Sequence, residues 1–217
     1  MNANTTTQII AKEGWNHVVL ALTVFLLSYI LSFFSWFFFA VFLFVLFIYR
    51  NPERIVEEDD ELSIVAPIDG KIIQIAKVQL DDGTESLSVV IKKKILDVGV
   101  MRAPMAMSII DEEKRFGLFL PPDSSLFSTL GEKNTLTCKG KLATIKMVIG
   151  AGRFSQKISL FDKLGILKSG QRLGFLNDGE VTLLLPLDTR IKVSLGAEVK
   201  AAIDVLGYLA YKDKDEQ

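Results

Sequence analysis

Asp178-Gly179-Glu180-Val181-Thr182-Leu183-Leu184-Leu185 sets a turn signal directly before a short Leu-rich run with β-branched residues. That order predicts a strand entered through a tight turn, and Asp-Gly between apolar strands is an ordinary hairpin signal. Ile72-Ile73-Gln74-Ile75, Leu87-Ser88-Val89-Val90-Ile91 and Ala143-Thr144-Ile145-Lys146-Met147-Val148-Ile149 have the same texture, and Asp82-Gly83 marks another turn. No long window carries an amphipathic helix, and Leu126 to Leu130 is the one short helical candidate. Many short strands with Gly and Pro punctuation predict a mainly β chain, closed as a barrel or sandwich.

Outward from this core the composition changes sharply. Val18 to Tyr49 is free of formal charge and holds nine of the 15 Phe, which predicts a membrane-embedded segment at 18–49. The run is too long for a signal peptide and ends in Phe47-Ile48-Tyr49-Arg50 instead of a small-residue cleavage site. One helix of this length would reach about 48 Å against a hydrocarbon core of about 30 Å. Ser32, Ser35 and Trp36 favour a break near the middle, giving a helical hairpin with both ends on one side. A single long tilted span is the alternative. Residues 1–17 read as a polar N-terminal segment, 50–62 as a charged, solvated linker, 63–209 as the β-rich domain and 210–217 as a charged tail. Lys12, Arg50 and Arg54 at the flanks weakly place the C-terminal domain in the cytoplasm.

The 217 residues carry 25 Lys plus Arg against 26 Asp plus Glu, a net charge of −1 that argues against a nucleic-acid partner. One cysteine (Cys138) excludes an internal disulfide framework and a multi-Cys metal site. One histidine (His17) excludes a His-cluster metal site and leaves little imidazole chemistry.

Tyr49-Arg50-Asn51-Pro52-Glu53-Arg54 followed by Ala66-Pro67-Ile68-Asp69-Gly70-Lys71 resembles the phosphatidylserine decarboxylase family, in its short bacterial and archaeal form. Gly14-Trp15 before the apolar run is similar too. Asp97-Val98-Gly99-Val100-Met101-Arg102-Ala103-Pro104 resembles the family's Asp-Val-His-x-Asn-Arg-x-Pro block. Glu132-Lys133-Asn134, Ala151-Gly152 with Lys157-Ile158, and Gly170-Gln171-Arg172-Leu173-Gly174 resemble later blocks in the same order. Leu167 to Gly174 and Val193 to Val199 each put a Gly turn before a strand, like the turns of lipoyl- and biotinyl-type barrels. The resemblance implies a phosphatidylserine decarboxylase-like β-barrel or sandwich behind an N-terminal α-helical membrane hairpin.

It also implies a chemistry. Such enzymes cut their own chain at a Gly-Ser bond and turn the serine into a pyruvoyl group, an electrophile that other enzymes take from a bound cofactor. The family's Asp-Gly-Lys aspartate and its Asp-Val-His histidine serve processing and catalysis. Here Asp69 is kept, but Gly99 stands at the histidine position, and no serine follows Gly179: with the local alignment one residue short, Glu180 is either its replacement or the neighbour of a deletion. A carboxylate cannot undergo the acyl shift and elimination that form a pyruvoyl group, so none is expected, and no other cofactor or metal is implied. Asp69, Asp97, Gly99, Arg102, Gly179 and Glu180 are therefore positions of a degenerate family site.

Plainer roles stand beside these. Asp69-Gly70 is also a turn that the fold itself would keep. Arg102 is a candidate for an ion pair with Asp97 or Asp69, or for holding a phosphate. Lys92-Lys93-Lys94 reads as a solvated strand end or as a contact for anionic headgroups. Asp69, Glu180 and Arg102 would support new chemistry only if they converge. The expectation is an uncut, non-catalytic, membrane-anchored relative whose partners are membrane phospholipid and a protein, either another lipid enzyme or a second copy. An active decarboxylase of phosphatidylserine or a related aminophospholipid is the alternative. Its setting would be a bacterial or archaeal inner membrane.

Overall fold

The computed structural model describes residues 9–56, 60–80, 83–156, 158–161 and 165–210. Glu57, Glu58 and Asp59 of the acidic run, Asp82, Lys157 and the tail from 211 lie outside the described residues.

A 3-10 turn at Lys12–Gly14 leads into two apolar helices, α1 (Trp15–Ile30) and α2 (Ser35–Ile48). Their 16 and 14 residues correspond to about 24 and about 21 Å, each shorter than a bilayer core of about 30 Å. The break falls where Ser32 and Phe34 take positive φ (53° and 47°), between the two serines expected to mark it. Phe25 meets the rings of Phe39 and Phe42, so the helices run antiparallel as a hairpin. Its ends close on each other: Ala11 N donates to Tyr49 O (2.8 Å) and Asn51 N to Ile9 O (2.8 Å). With its 3-10 turn, the first helix (Lys12–Ile30) is long and apolar enough to cross a membrane.

The rest is mainly β, as expected. The strands are β1 (Ser63–Val65), β2 (Gly70–Gln79), β3 (Glu85–Lys93), β4 (Val100–Arg102), β5 (Met107–Arg115), β6 (Lys133–Gly140) and β7 (Thr144–Ala151). They continue through β8 (Ser159–Leu160), β9 (Ile166–Leu167), β10 (Arg172–Phe175), β11 (Gly179–Leu185), β12 (Arg190–Ile191), β13 (Glu198–Val199) and β14 (Val205–Tyr208), with a short α3 (Phe127–Leu130) before β6. A curled sheet in the order β13-β2-β3-β11-β7-β6-β5-β9 forms a half-barrel, flanked by the small sheets β1-β14-β12 and β4-β10-β8. Alternation explains the curl's inner face: Val181, Leu183 and Leu185 are buried while Glu180, Thr182 and Leu184 are half-exposed. With Val89, Ile91, Met147 and Ile149 from the paired strands they build the core. The β2–β3 connection is the expected hairpin, with Gly83 at φ 82°. Gly170 (φ 71°) and Gly196 (φ 86°) likewise supply the two turns picked out before strands.

Asp178-Gly179 is a different case. It is not a hairpin turn: β10 pairs with β4 and β8, β11 pairs with β3 and β7, and residues 176–178 cross between the two sheets. A local turn signal fixes a bend but not the partner of the strand that follows. Within the expected linker Asn51 is buried, whereas Glu53 and Ile55 are exposed.

Candidate functional site

The strand β3 ends in three lysines, and the pleat sends them apart. Val89, Ile91 and Lys93 share the inward face, so Lys93 is only 1% exposed, whereas Lys94 is exposed and Lys92 pairs with Asp123. Lys93 Nζ donates to the carbonyls of Lys94 (2.8 Å), Asp97 (2.9 Å) and Asn177 (2.7 Å), which uses all three ammonium hydrogens. Burial pulls its pKa down to about 8, against the opposing pull of Asp97, Asp178 and Asp69. The solvated strand end expected for this triplet therefore fails at its middle residue. That alternation was the signal available in the sequence.

Asp69 sits just before β2, where Gly70 is pressed so close that a Cβ would lie 2.4 Å from Lys92 O. Its two carboxylate oxygens accept a bidentate pair from Arg54, the second bond at 2.7 Å, and Oδ1 also accepts from Ala201 N (2.8 Å). Arg102 does not ion-pair with Asp97 or Asp69 as expected. Its guanidinium donates instead to Gly170 O and Pro52 O, both at 3.0 Å, because Arg54 has already taken the carboxylate. Burial, then the nearby Arg172 and Arg54, lower the Arg102 pKa to about 10. Asp97 closes the turn after β3 by accepting from Lys94 N (2.8 Å).

At Gly99 there is no room for a side chain. A Cβ there would lie 2.5 Å from Phe175 Cζ and 2.9 Å from Leu176 O. The Phe175 ring stacks on Tyr49 (5.5 Å, 19° between planes), and Tyr49 stacks on His17 (5.3 Å, 19°). An aromatic column thus runs from the first turn of α1 to the position where the family block places histidine. The His17 ring also meets Gln156 (3.0 Å). Tyr49 stood in a recognisable block, but its contact with Phe175 escaped the sequence reading because nothing local marks two aromatic residues so far apart in sequence as neighbours.

Gly179 opens β11 at φ 142°, and a Cβ on it would lie 2.1 Å from Gly150 O. Glu180 follows on the other face of the strand. Burial raises its pKa against the pull of Lys133 and Lys92, and Asp123 pushes the same way as burial. Asp69 bonds to Arg54 and Ala201 N and Arg102 to Gly170 O and Pro52 O, whereas the charges that act on Glu180 are Lys133, Lys92 and Asp123. A hydroxyl at this junction belongs to Ser155, which donates to Asp178 O and accepts from Asp178 N (3.1 Å). Its position inside an unremarkable loop gave no sequence signal. The residue directly after Gly179 is Glu180, which carries no hydroxyl. Among the described residues, no cluster of three metal-ligating side chains occurs.

Beside Asp69 a cleft of about 570 Å³ opens at the foot of the helical hairpin, lined by Ile9, Arg50, Arg54, Val98 and Lys200 among others. Arg54 is paired with Asp69, and the other charged residues of the lining are Arg50, Lys200 and Glu53. Such a lining, part cationic and part apolar, can accept an anionic group that carries a hydrocarbon tail.

The family profile for phosphatidylserine decarboxylase matches residues 41–207. The phosphatidylserine decarboxylase proenzyme of Burkholderia ambifaria (strain MC40-6) is 31% identical over 209 residues, 93% of this chain and 96% of its own. That of Carboxydothermus hydrogenoformans is 33% identical over 207 residues, with 92% and 96% covered. No solved structure matches. With the barrel, its strand blocks and these relatives in agreement along nearly the whole length, the chain belongs to the phosphatidylserine decarboxylase family.

Proposed function

We propose that this protein is a non-catalytic member of its family that stays as one uncut chain, is held in a membrane by the α1–α2 hairpin and binds phospholipid in the cleft beside Arg50 and Lys200. One observation carries this best: Gly179 is followed by Glu180, whose carboxylate can neither attack the preceding peptide nor become a carbonyl electrophile. The space at Gly99 filled by Phe175 supports it further, since no proton carrier fits there. The cleft supports the lipid assignment, because its cations lie where the apolar hairpin leaves the β domain. On this reading the β domain would face the cytoplasm at a bacterial or archaeal inner membrane, which the flanking Arg50 and Arg54 favour. A lipid-metabolising protein or a second copy would complete the assembly there.

The intact mass of the purified chain, with and without a carbonyl-reactive amine, tests the first part. The expected result is one species near 24.2 kDa with no adduct. Two fragments, the C-terminal one blocked and carbonyl-reactive, would overturn it and make the protein a decarboxylase. Binding of the full chain in detergent to short-chain phosphatidylserine and phosphatidylethanolamine tests the second part. Arg50→Ala with Lys200→Ala is expected to weaken binding, and unchanged binding would remove the cleft as the site.

A further inference from the structure

We infer that one end of the half-barrel is a membrane-docking face that lies on the lipid surface around the foot of the hairpin. The inference rests on the membrane placement of the hairpin proposed above. Strand register defines the face. Gly179 is level with Lys93 on β3 and with Ala151 on β7, Lys133 on β6 is level with Gly150, and Arg115 on β5 is level with Lys133. The ends of five adjacent strands therefore lie in one row, and the turns that leave it emerge on one side of the domain.

Two of those turns hold the hairpin. Arg50 donates to Leu96 O (2.8 Å) in the 94–97 turn, and His17 meets Gln156 in the 152–156 turn. The stack of His17, Tyr49 and Phe175 fixes the angle between hairpin and domain. Each turn also shows water a large apolar side chain: Leu96 is 51% exposed and Phe154 is 61% exposed. The third connection in the row, residues 116–132, exposes Leu118 (57%), Phe119 and Leu126. At the opposite end, the described parts of the turns 80–84, 140–143 and 186–189 expose one large apolar side chain, Leu187 (39%), and β9, beside the start of β5, exposes Ile166 (83%).

Apolar side chains on turns, at the same end as an apolar hairpin, fit insertion into the boundary between headgroups and acyl chains. Lys94 and Arg153 are exposed beside Leu96 and Phe154. Arg50 adds a third cation at the hairpin's foot, its guanidinium lying over the Phe47 ring (3.9 Å). These charges match the phosphates of an anionic leaflet. A protein partner would have to cover the same turns while leaving room for the bilayer that holds the hairpin, so the lipid surface is the occupant the geometry favours.

The test uses the full chain in vesicles of phosphatidylcholine and phosphatidylglycerol. Leu118→Cys, Phe154→Cys and Lys141→Cys are each labelled with an environment-sensitive dye. The native Cys138 is buried with its thiol pKa pushed up to about 12, so it stays unlabelled. Lipids with a quencher on the upper acyl chain are then added. In a Trp15→Phe background, the emission of Trp36 reports whether the hairpin is in the bilayer. Dyes at 118 and 154 are expected to lose most of their emission while the dye at 141, on the opposite end, keeps it. Quenching of Trp36 without quenching at 118 and 154 would overturn the docking face and leave the anchor standing. An unquenched Trp36 would overturn the membrane placement itself. Dyes shielded from an aqueous quencher yet untouched by the lipid quencher would assign the face to a protein, overturning the lipid assignment.

Discussion

At Lys93 a charge is buried and fully hydrogen-bonded at once, and the balance depends on pH. Its folded pKa of about 8 lies below the ordinary 10.5, so between these values the unfolded chain holds a proton that the folded chain has released. Stability contributed by this group therefore rises as pH climbs from about 8 to about 10.5, by about 1.4 kcal/mol for each pH unit that separates the folded and unfolded pKa. Denaturant unfolding across that window in detergent is expected to show a rise in the wild type that Lys93→Met lacks. Equal slopes would mean that the amine titrates normally. Arg54 and Asp69 make a second buried pair, and removing either partner strands the other. Asp69→Asn or Arg54→Met is expected to destabilise the protein by about 3–5 kcal/mol, whereas Arg54→Met with Asp69→Leu recovers much of the loss in the same unfolding measurement. Asp69 was legible as a site position because it lies in a recognisable block. Its partner was not, because both Arg54 and Arg102 are near in sequence and only the path of the chain decides between them.

For the elements, residue texture marked β2, β3, β7 and β11 as strands and the apolar run as helical, and the serines placed the break in that run. What composition did not reveal was pairing. Asp178-Gly179 has the local chemistry of a hairpin, but long-range register with β3 and β7 claims the strand that follows it. The join between hairpin and domain was equally hidden, since it depends on Tyr49 lying between His17 and Phe175 and against Gly14, where a Cβ would come within 2.2 Å of the ring. Truncating a buried aromatic of this size costs about 3–5 kcal/mol. Tyr49→Ala is expected to loosen residues 50–56, so trypsin should cut after Arg50 or Arg54 faster than in the wild type, read by fragment mass. Gly99→His is expected to destabilise the domain by forcing Phe175 aside, and Gly99→His with Phe175→Ala to relieve much of that loss, read by thermal unfolding. Within the hairpin bend, Leu31 N, Ser32 N and Phe33 N donate to Leu27 O, Tyr29 O and Ser28 O, and Ser35 Oγ donates to the Ser28 carbonyl too. A bend so satisfied is suited to surroundings without water.

Across the whole molecule, the family scaffold persists, and the proposed loss of catalysis would place the change at its reactive junction. Putting a serine after Gly179 should therefore not restore cleavage on its own: Asp69 is already committed to Arg54 and Ala201 N, and Phe175 blocks position 99. Glu180→Ser is expected to remain a single chain by intact mass, and spontaneous cutting would show that one residue alone had held the reaction back. The family and its barrel were readable from ordered sequence blocks, but the packing around Asp69 and Gly99 was not, because it is built from side chains that meet only in three dimensions. The closed foot of the hairpin, where residue 9 bonds to residue 51, has a consequence for how the protein is made. A hairpin whose two ends meet on one side asks for no charged flank to be carried across the bilayer during synthesis. With the β domain on the cytoplasmic side, as proposed above, such a hairpin would enter the lipid as a preformed wedge from the side on which the ribosome works.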